Sequence, residues 1–311
     1  MRAVAIPSFG GPEVLEVAEL PVPEPGPGEV RIHVEAATVN PTDIGMRSGN
    51  SAATLSEKEA PFVPGMEAAG TIDAVGEGAS WQVGDRVMAI VLPQRTGRGA
   101  QAEFCVVPQA SVARIPENST FAQAATIPMN GLTVRRALDV LGLRAGDTLL
   151  VTGAAGAVGS YGIELGKADN LRVIGVASSS DEAFVLGLGA TDFFVRGDDL
   201  VEQVRAKYPD GVDAVLDAAV IGSPVLGAIR DRGQVAAVRL FVGEPEREIT
   251  VSQIRVSDYA ENQAALDALG RLAESGGLTL RVAETFPPER AADAQQRLAT
   301  GGVRGRLLIE F

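Results

Sequence analysis

The sequence predicts an α/β chain in which a doubly wound parallel sheet is inserted into a β-rich domain. Three observations point there. Short strands punctuated by Gly and Pro fill the first third, strand and helix patterns alternate from about residue 120, and a mixed tail ends in one last strand. The implied boundaries are 1–118 plus 275–311 for the β-rich part and 119–274 for the insert. No internal repeat is visible.

In chain order, PVPEPGPGE (21–29) reads as a proline-rich connector. RIHVEAA (31–37) alternates, with Ile32, Val34 and Ala36 on one face and Arg31, His33 and Glu35 on the other. GTIDAVGEG (70–78), DRVMAIV (85–91) and AEFCVVP (102–108) are further short strands. In the insert, strands are expected at 148–153, 171–177, 192–195, 212–219 and 234–238, with helices at 157–168, 181–190 and 200–208. The segment 225–232 separates the last two of those strands. Repeats of this kind make a parallel sheet covered on both faces. The tail carries helices near 260–274 and 288–299, then RLLIEF (306–311).

Bulk properties narrow the function. With 311 residues, 46% hydrophobic and 22% charged, the chain has the composition of one large or two ordinary soluble domains. A formal charge of −13 argues against nucleic acid or an anionic membrane as partner. One cysteine, Cys105, cannot form an intrachain disulfide and fits a reducing compartment. The start, MRAVAIPSFGG, has no long apolar core of a secretory signal, and no apolar run approaches the roughly 20 residues of a membrane span. The expectation is a cytoplasmic protein.

The stretch TLLVTGAAGAVGSYG (148–162) is an apolar strand that breaks into Gly and Ala and then opens a helix. Ala154, Gly156 and Gly159 hold the three spacing positions of a dinucleotide turn. Gly156 lets backbone approach a diphosphate, and Gly159 lets the helix lie close on the sheet. A tight turn kept for packing is the plainer reading, and the strand–turn–helix setting favours the dinucleotide. A carboxylate at the end of the next strand would bind a ribose 2′-hydroxyl. Ala177, Ser178, Ser179 and Ser180 stand there instead, which favours NADPH over NADH, with Arg196 able to lend charge. Asp181 and Glu182 speak for the opposite, and serines after a strand are commonly turn formers.

A resemblance covers nearly the whole chain. NPTDIGMRSG (40–49), PGMEAAGTIDAVGEGASWQVGDRV (64–87), GLTVRRAL (131–138), the glycine turn and VRGRLLIEF (303–311) follow in the order of the medium-chain dehydrogenase/reductase family. The chain resembles its zinc-independent quinone oxidoreductase branch, which implies a Rossmann domain inserted in a GroES-like catalytic domain. Zinc alcohol dehydrogenases of the family carry a ligand histidine where this chain has Met66 and a ligand cysteine where it has Asn40. Only His33 and Cys105 remain as histidine and thiol, too few for a structural site of four ligands. His33 reads as a solvated side chain and Cys105 as packing.

The resemblance implies hydride transfer from NADPH to a quinone or activated alkene, a small-molecule acceptor, and a homodimer built through the edge segment EITVSQIRVS (248–257). It places Asn40 and Thr42 as candidate donors to the developing oxyanion, with Asp43 tying down the loop. It brings Thr133 to the nicotinamide or its phosphates. Ala155, Gly156, Ala157 and Val158 fall at the diphosphate, Ser178 and Ser179 at the adenosine ribose, Ala218 and Val238 at the pocket edge, and Arg304 at the cofactor from the tail. Two departures stand out. Gly45 replaces a tyrosine of some relatives, and Glu182 falls near the place of a phosphate-binding lysine. An enoyl-thioester reductase, or a non-catalytic NADPH-binding redox sensor, are the alternatives; no basic cluster near 40–66 suits a carrier for the first.

Overall fold

The computed structural model describes residues 1–311. The chain forms two compact units. One comprises Met1–Met129, Ala260–Glu274 and Leu280–Phe311; the other comprises Asn130–Tyr259 and Ser275–Thr279.

The first unit is built of short strands: β1 (Arg2–Ala5), β2 (Glu16–Glu19), β3 (Glu29–Val39), β4 (Glu67–Val75), β5 (Arg86–Ile90), β6 (Phe104–Pro108) and β7 (Val112–Arg114). β1 and β2 pair antiparallel as a separate ribbon. β3 is the long spine of the main sheet, and its buried Val30, Ile32 and Val34 alternate with outward residues as the sequence predicts. It pairs with β4 on one side, with β6 near its start, and with the last strand of the chain near its end. Ile32, Val34, Ile72, Val87 and Val107 make the core of this sheet. The helix Gln263–Glu274 belongs to this unit, with Gln263 Nε2 donating to the Val112 carbonyl.

The second unit carries six parallel strands: β8 (Thr148–Thr152), β9 (Arg172–Ala177), β10 (Asp192–Val195), β11 (Val212–Asp217), β12 (Ile229–Ala237) and β13 (Thr250–Gln253). Their spatial order is β10-β9-β8-β11-β12-β13. Parallel strands buried on both faces read as near-continuous apolar runs, which LLV in β8 and VIGVA in β9 are. Leu150, Ile174, Val215 and Val235 form their shared core.

The chain then returns to the first unit with β14 (Val282–Phe286) and β15 (Arg306–Glu310). β15 lies antiparallel on β3, Leu307 opposite Val39. No helix is long and apolar enough to cross a membrane.

β12 and the helix expected at 181–190 differ from the expectation. β12 starts at Ile229 rather than 234, and only a 3₁₀ stretch, Ser223–Ala228, precedes it. Ile229 pairs with Val212, the chain bulges, and pairing resumes at Gln234 opposite Ala214. Gly233 permits this: a Cβ there would run into the Ile229 side chain. The helix expected at 181–190 is split into a 3₁₀ turn, Ser179–Asp181, and a short helix, Glu182–Gly187.

Candidate active site and coenzyme crevice

The strand order of the second unit reverses between β8 and β11, and this is where ligands bind in open parallel sheets. The glycine turn sits at the carboxyl end of β8. Gly153 adopts φ +61°, a left-handed conformation that a side chain resists. The Ala154 N–H donates to the Val176 carbonyl at 3.0 Å, which pins the turn to the end of β9. Gly156 is the N-cap of the helix Ala157–Ala168 and brings no side-chain cap of its own.

The glycines of this turn do different work. A Cβ on Gly159 would collide with the Gly153 carbonyl, and one on Gly162 would lie 2.6 Å from Leu216 Cδ2. Both therefore let the helix lie down on the sheet. A Cβ on Gly156 would meet only the Gly153 oxygen, at 3.2 Å, so that position is the least crowded of the three. The first-turn N–H groups of Ala157, Val158 and Gly159 have no carbonyl one turn back in the helix, and the helix dipole adds positive potential there. Bare backbone donors at a helix start fit a diphosphate.

A buried carboxylate shapes the far wall of this crevice. Asp217, at the end of β11, accepts from Thr152 Oγ1 at 2.7 Å, Ile221 N at 3.0 Å and Gly222 N at 2.9 Å. Thr152 Oγ1 accepts in turn from Ala219 N at 2.9 Å. The ends of β8 and β11 are thereby locked together, with the half-buried Ala218 in the loop between those contacts. Val238, half-buried, ends the next strand.

At the end of β9, Ser178 is half-buried while Ser179 and Ser180 are exposed. The Arg196 N–H donates to the Ala177 carbonyl at 2.8 Å, so exposed Arg196 leaves β10 beside those serines. The nearby carboxylates are the buried Asp181 and the exposed Glu182. Ala155 is buried, Gly156, Ala157 and Val158 are half-buried, and Thr133 is buried in the helix Pro128–Leu141. Those two groups share the second unit, as do Ala218 and Val238; Arg304 is exposed in the first.

The first unit holds a buried polar cluster that sequence reasoning met only in part. Asn40 caps the helix Pro41–Arg47, its N–H donating to Asp43 Oδ2 at 2.8 Å. Its amide is turned inward. Nδ2 donates to Thr38 Oγ1 at 3.0 Å, and Oδ1 accepts from the Arg306 guanidinium at 2.8 Å. Glu67, wholly enclosed, pairs with Arg306 and accepts from Thr38 Oγ1 at 2.5 Å and from Met129 N at 2.6 Å. Asp43 accepts from Gly65 N at 3.0 Å and Gln101 Nε2 at 3.2 Å as well. Burial pushes its carboxyl up to about 7, against those backbone donors and the Arg306 charge, which pull it down. Thr42 is exposed, and it lines a small cavity with Asp43, Met46, Ser51, Leu55, Met66, Pro93 and Gln94.

Glu67 and Arg306 escaped the sequence reading. The signal for Arg306 is a cation opening an apolar strand whose first residues should be buried; the resemblance points to Arg304, two residues earlier.

Parts of the chain match two family models: an alcohol dehydrogenase GroES-like domain over residues 26–117, and a zinc-binding dehydrogenase over residues 188–309. The quinone oxidoreductase of Homo sapiens is 30% identical over 337 residues, covering 99% of this chain and 97% of that one. Among solved structures, an NAD-dependent alcohol dehydrogenase superposes with a TM-score of 0.89 at 30% identity, covering 100% of both chains. A mycobacterial protein complexed with NADPH gives 0.85 at 28% identity, again covering 100% of both.

Zinc, which the second model's description implies, does not fit the donors present. Cys105 pairs with Ile32 and is buried, while His33, one residue along, pairs with Phe104 and is exposed. Neighbours along a strand point to opposite faces, so these two cannot share an ion. No group of three or more His, Cys, Asp or Glu is placed to hold a metal. Burial pushes the Cys105 thiol up to about 12, which leaves it unreactive as a nucleophile at neutral pH.

Proposed function

We propose, on the premise that the chain belongs to the medium-chain dehydrogenase/reductase family and is an oxidoreductase of its quinone oxidoreductase kind, that it is a zinc-free, NADPH-dependent reductase of quinones or activated alkenes. The observation that carries this reading is the glycine turn at the point where the strand order reverses. Ala155, Gly156, Ala157 and Val158 would hold the coenzyme diphosphate on the helix start. Ser178, Ser179 and Arg196 would receive the adenosine ribose and its 2′-phosphate. Thr133, Ala218, Val238 and Arg304 complete the assigned coenzyme set.

The coenzyme supplies a hydride. Without a Lewis acid, conjugation in a quinone or enone is what spreads the arriving charge onto an oxygen. Thr42, which is exposed, is the donor assigned to that oxygen. Asn40, expected as a second donor, is instead buried and holds the segment, Nδ2 donating to Thr38 and Oδ1 accepting from Arg306. A cytoplasmic homodimer completes the proposal. β13 is paired on one side only, leaving an edge that a second copy can extend, and the lone buried thiol suits a reducing compartment.

Asp181 and Glu182 favour a second reading in which NADH is the coenzyme, because carboxylates near that ribose repel a 2′-phosphate. Titration of NADPH against NADH, then a panel of quinones, enals and simple alcohols, tests both. Tighter NADPH binding with turnover of quinones or enals is expected. Preference for NADH would overturn the coenzyme assignment, and zinc-dependent oxidation of alcohols would overturn the reaction.

A further inference from the structure

The loops that follow β11 and β12 form an apolar corner whose exposure the fold itself maintains. Of the eight large hydrophobic residues that are exposed in this chain, three are here: Val220 at 40%, Leu240 at 70% and Val242 at 68%. The corner is built, not frayed. Ile221 and Phe241, the neighbours of these residues, turn inward onto the core of the parallel sheet. The Ser223 N–H donates to the Val242 carbonyl at 2.9 Å, which ties the two loops together. Asp217 holds Ile221 N and Gly222 N, and within that clasp Val220 adopts φ +57°. A β-branched residue pays for a left-handed backbone, and such strain persists only where the surroundings over-determine it. Glycine at 220 would relieve the strain, yet the chain places an isopropyl group there.

The corner follows directly on Ala218 and Val238, the strand ends assigned to the coenzyme pocket, at the carboxyl edge of the sheet. We infer that Val220, Leu240 and Val242 form a docking platform for an alkyl tail on the acceptor, so that the enzyme prefers quinones or enones bearing a long apolar chain. This rests on the acceptor class proposed above and specifies which members of it bind. Polar acceptors gain nothing from such a surface, whereas a tail laid on it removes apolar area of both partners from water.

Equilibrium binding tests this apart from turnover. Two hydroquinones with the same ring, one bearing a decyl chain, are titrated calorimetrically into coenzyme-loaded protein. The wild type is expected to bind the decyl compound more tightly by roughly tenfold or more, the scale of one buried apolar side chain. In Leu240→Ser/Val242→Ser that preference is expected to fall to within about twofold, with coenzyme affinity unchanged. Val220→Gly, which relieves strain rather than adding it, is expected to weaken the decyl preference and keep the fold. An equal preference in wild type and variants would overturn the inference. So would a switch from dimer to monomer in Leu240→Ser/Val242→Ser, seen by sedimentation, because it would assign the corner to a second copy. Absence of turnover with an intact decyl preference would sink the proposed reaction and leave the platform standing.

Discussion

Asp43 is enclosed among Asn40, Gly65 and Gln101, and burial raises its carboxyl to about 7. The unfolded chain ionises this group near 4, so the folded state holds a proton that the unfolded state has lost between those values. Its contribution to stability is complete below about pH 4 and is lost as pH rises through about 7. Asp43→Asn cannot titrate. Chemical unfolding from pH 4 to 8 should show the wild type losing roughly 1–4 kcal/mol relative to that variant. Parallel curves would refute the argument. The Glu67–Arg306 pair gives a second test. Arg306→Leu leaves the enclosed carboxylate without its cation and should cost about 3–5 kcal/mol. Adding Glu67→Leu should recover part of that loss; a double variant as unstable as the single would show that the pair does not act as a unit. The sequence displayed Asp43 in its loop, but the pair joins positions 239 residues apart and only the sheet brings them together. Register, not composition, put Arg306 next to Asn40.

The helix Ala157–Ala168 lies on its sheet through glycines, and their substitutions should separate. In Gly159→Ala the new methyl meets a backbone carbonyl, which cannot swing aside. In Gly162→Ala it meets Leu216 Cδ2 at 2.6 Å and Val151 Cγ1 at 3.2 Å, side-chain atoms that can give. Gly162→Ala should cost about 1–3 kcal/mol and spare coenzyme affinity. Gly159→Ala should cost more and weaken coenzyme binding, because the helix start itself must move. Thermal unfolding with coenzyme titration checks both, and a Gly159→Ala protein as stable and as tight-binding as wild type would contradict the packing argument. This element was legible in the sequence, since small residues at fixed spacing after an apolar strand have few other uses. β12 was not: the bulge between Ile229 and Gln234 depends on Gly233 folding over Ile229, and no periodicity marks it. The clasp of Asp217 on residues 221 and 222 was equally hidden, because a carboxylate at a strand end looks the same whether it faces ligand or loop.

Over the whole molecule, the order of segments was the strongest clue, and the two units reproduce the fold it implied: a GroES-like β unit and a parallel-sheet unit. Substrate and coenzyme choice rest on side chains at loop ends, which patterning cannot rank. The central claim is that the glycine turn receives the coenzyme diphosphate. Gly156→Asp tests it most directly, because φ there is an ordinary −76° and a Cβ meets only the Gly153 carbonyl oxygen, at 3.2 Å, a tight contact that a shift of a few tenths of an ångström relieves, so the variant should fold. Fluorescence titration of NADPH into both proteins is the measurement. Saturable binding to wild type, weakened at least about a hundredfold in a variant with unchanged unfolding temperature, is the expected result, since a carboxylate would then face the diphosphate. Equal affinity in the two proteins would contradict it.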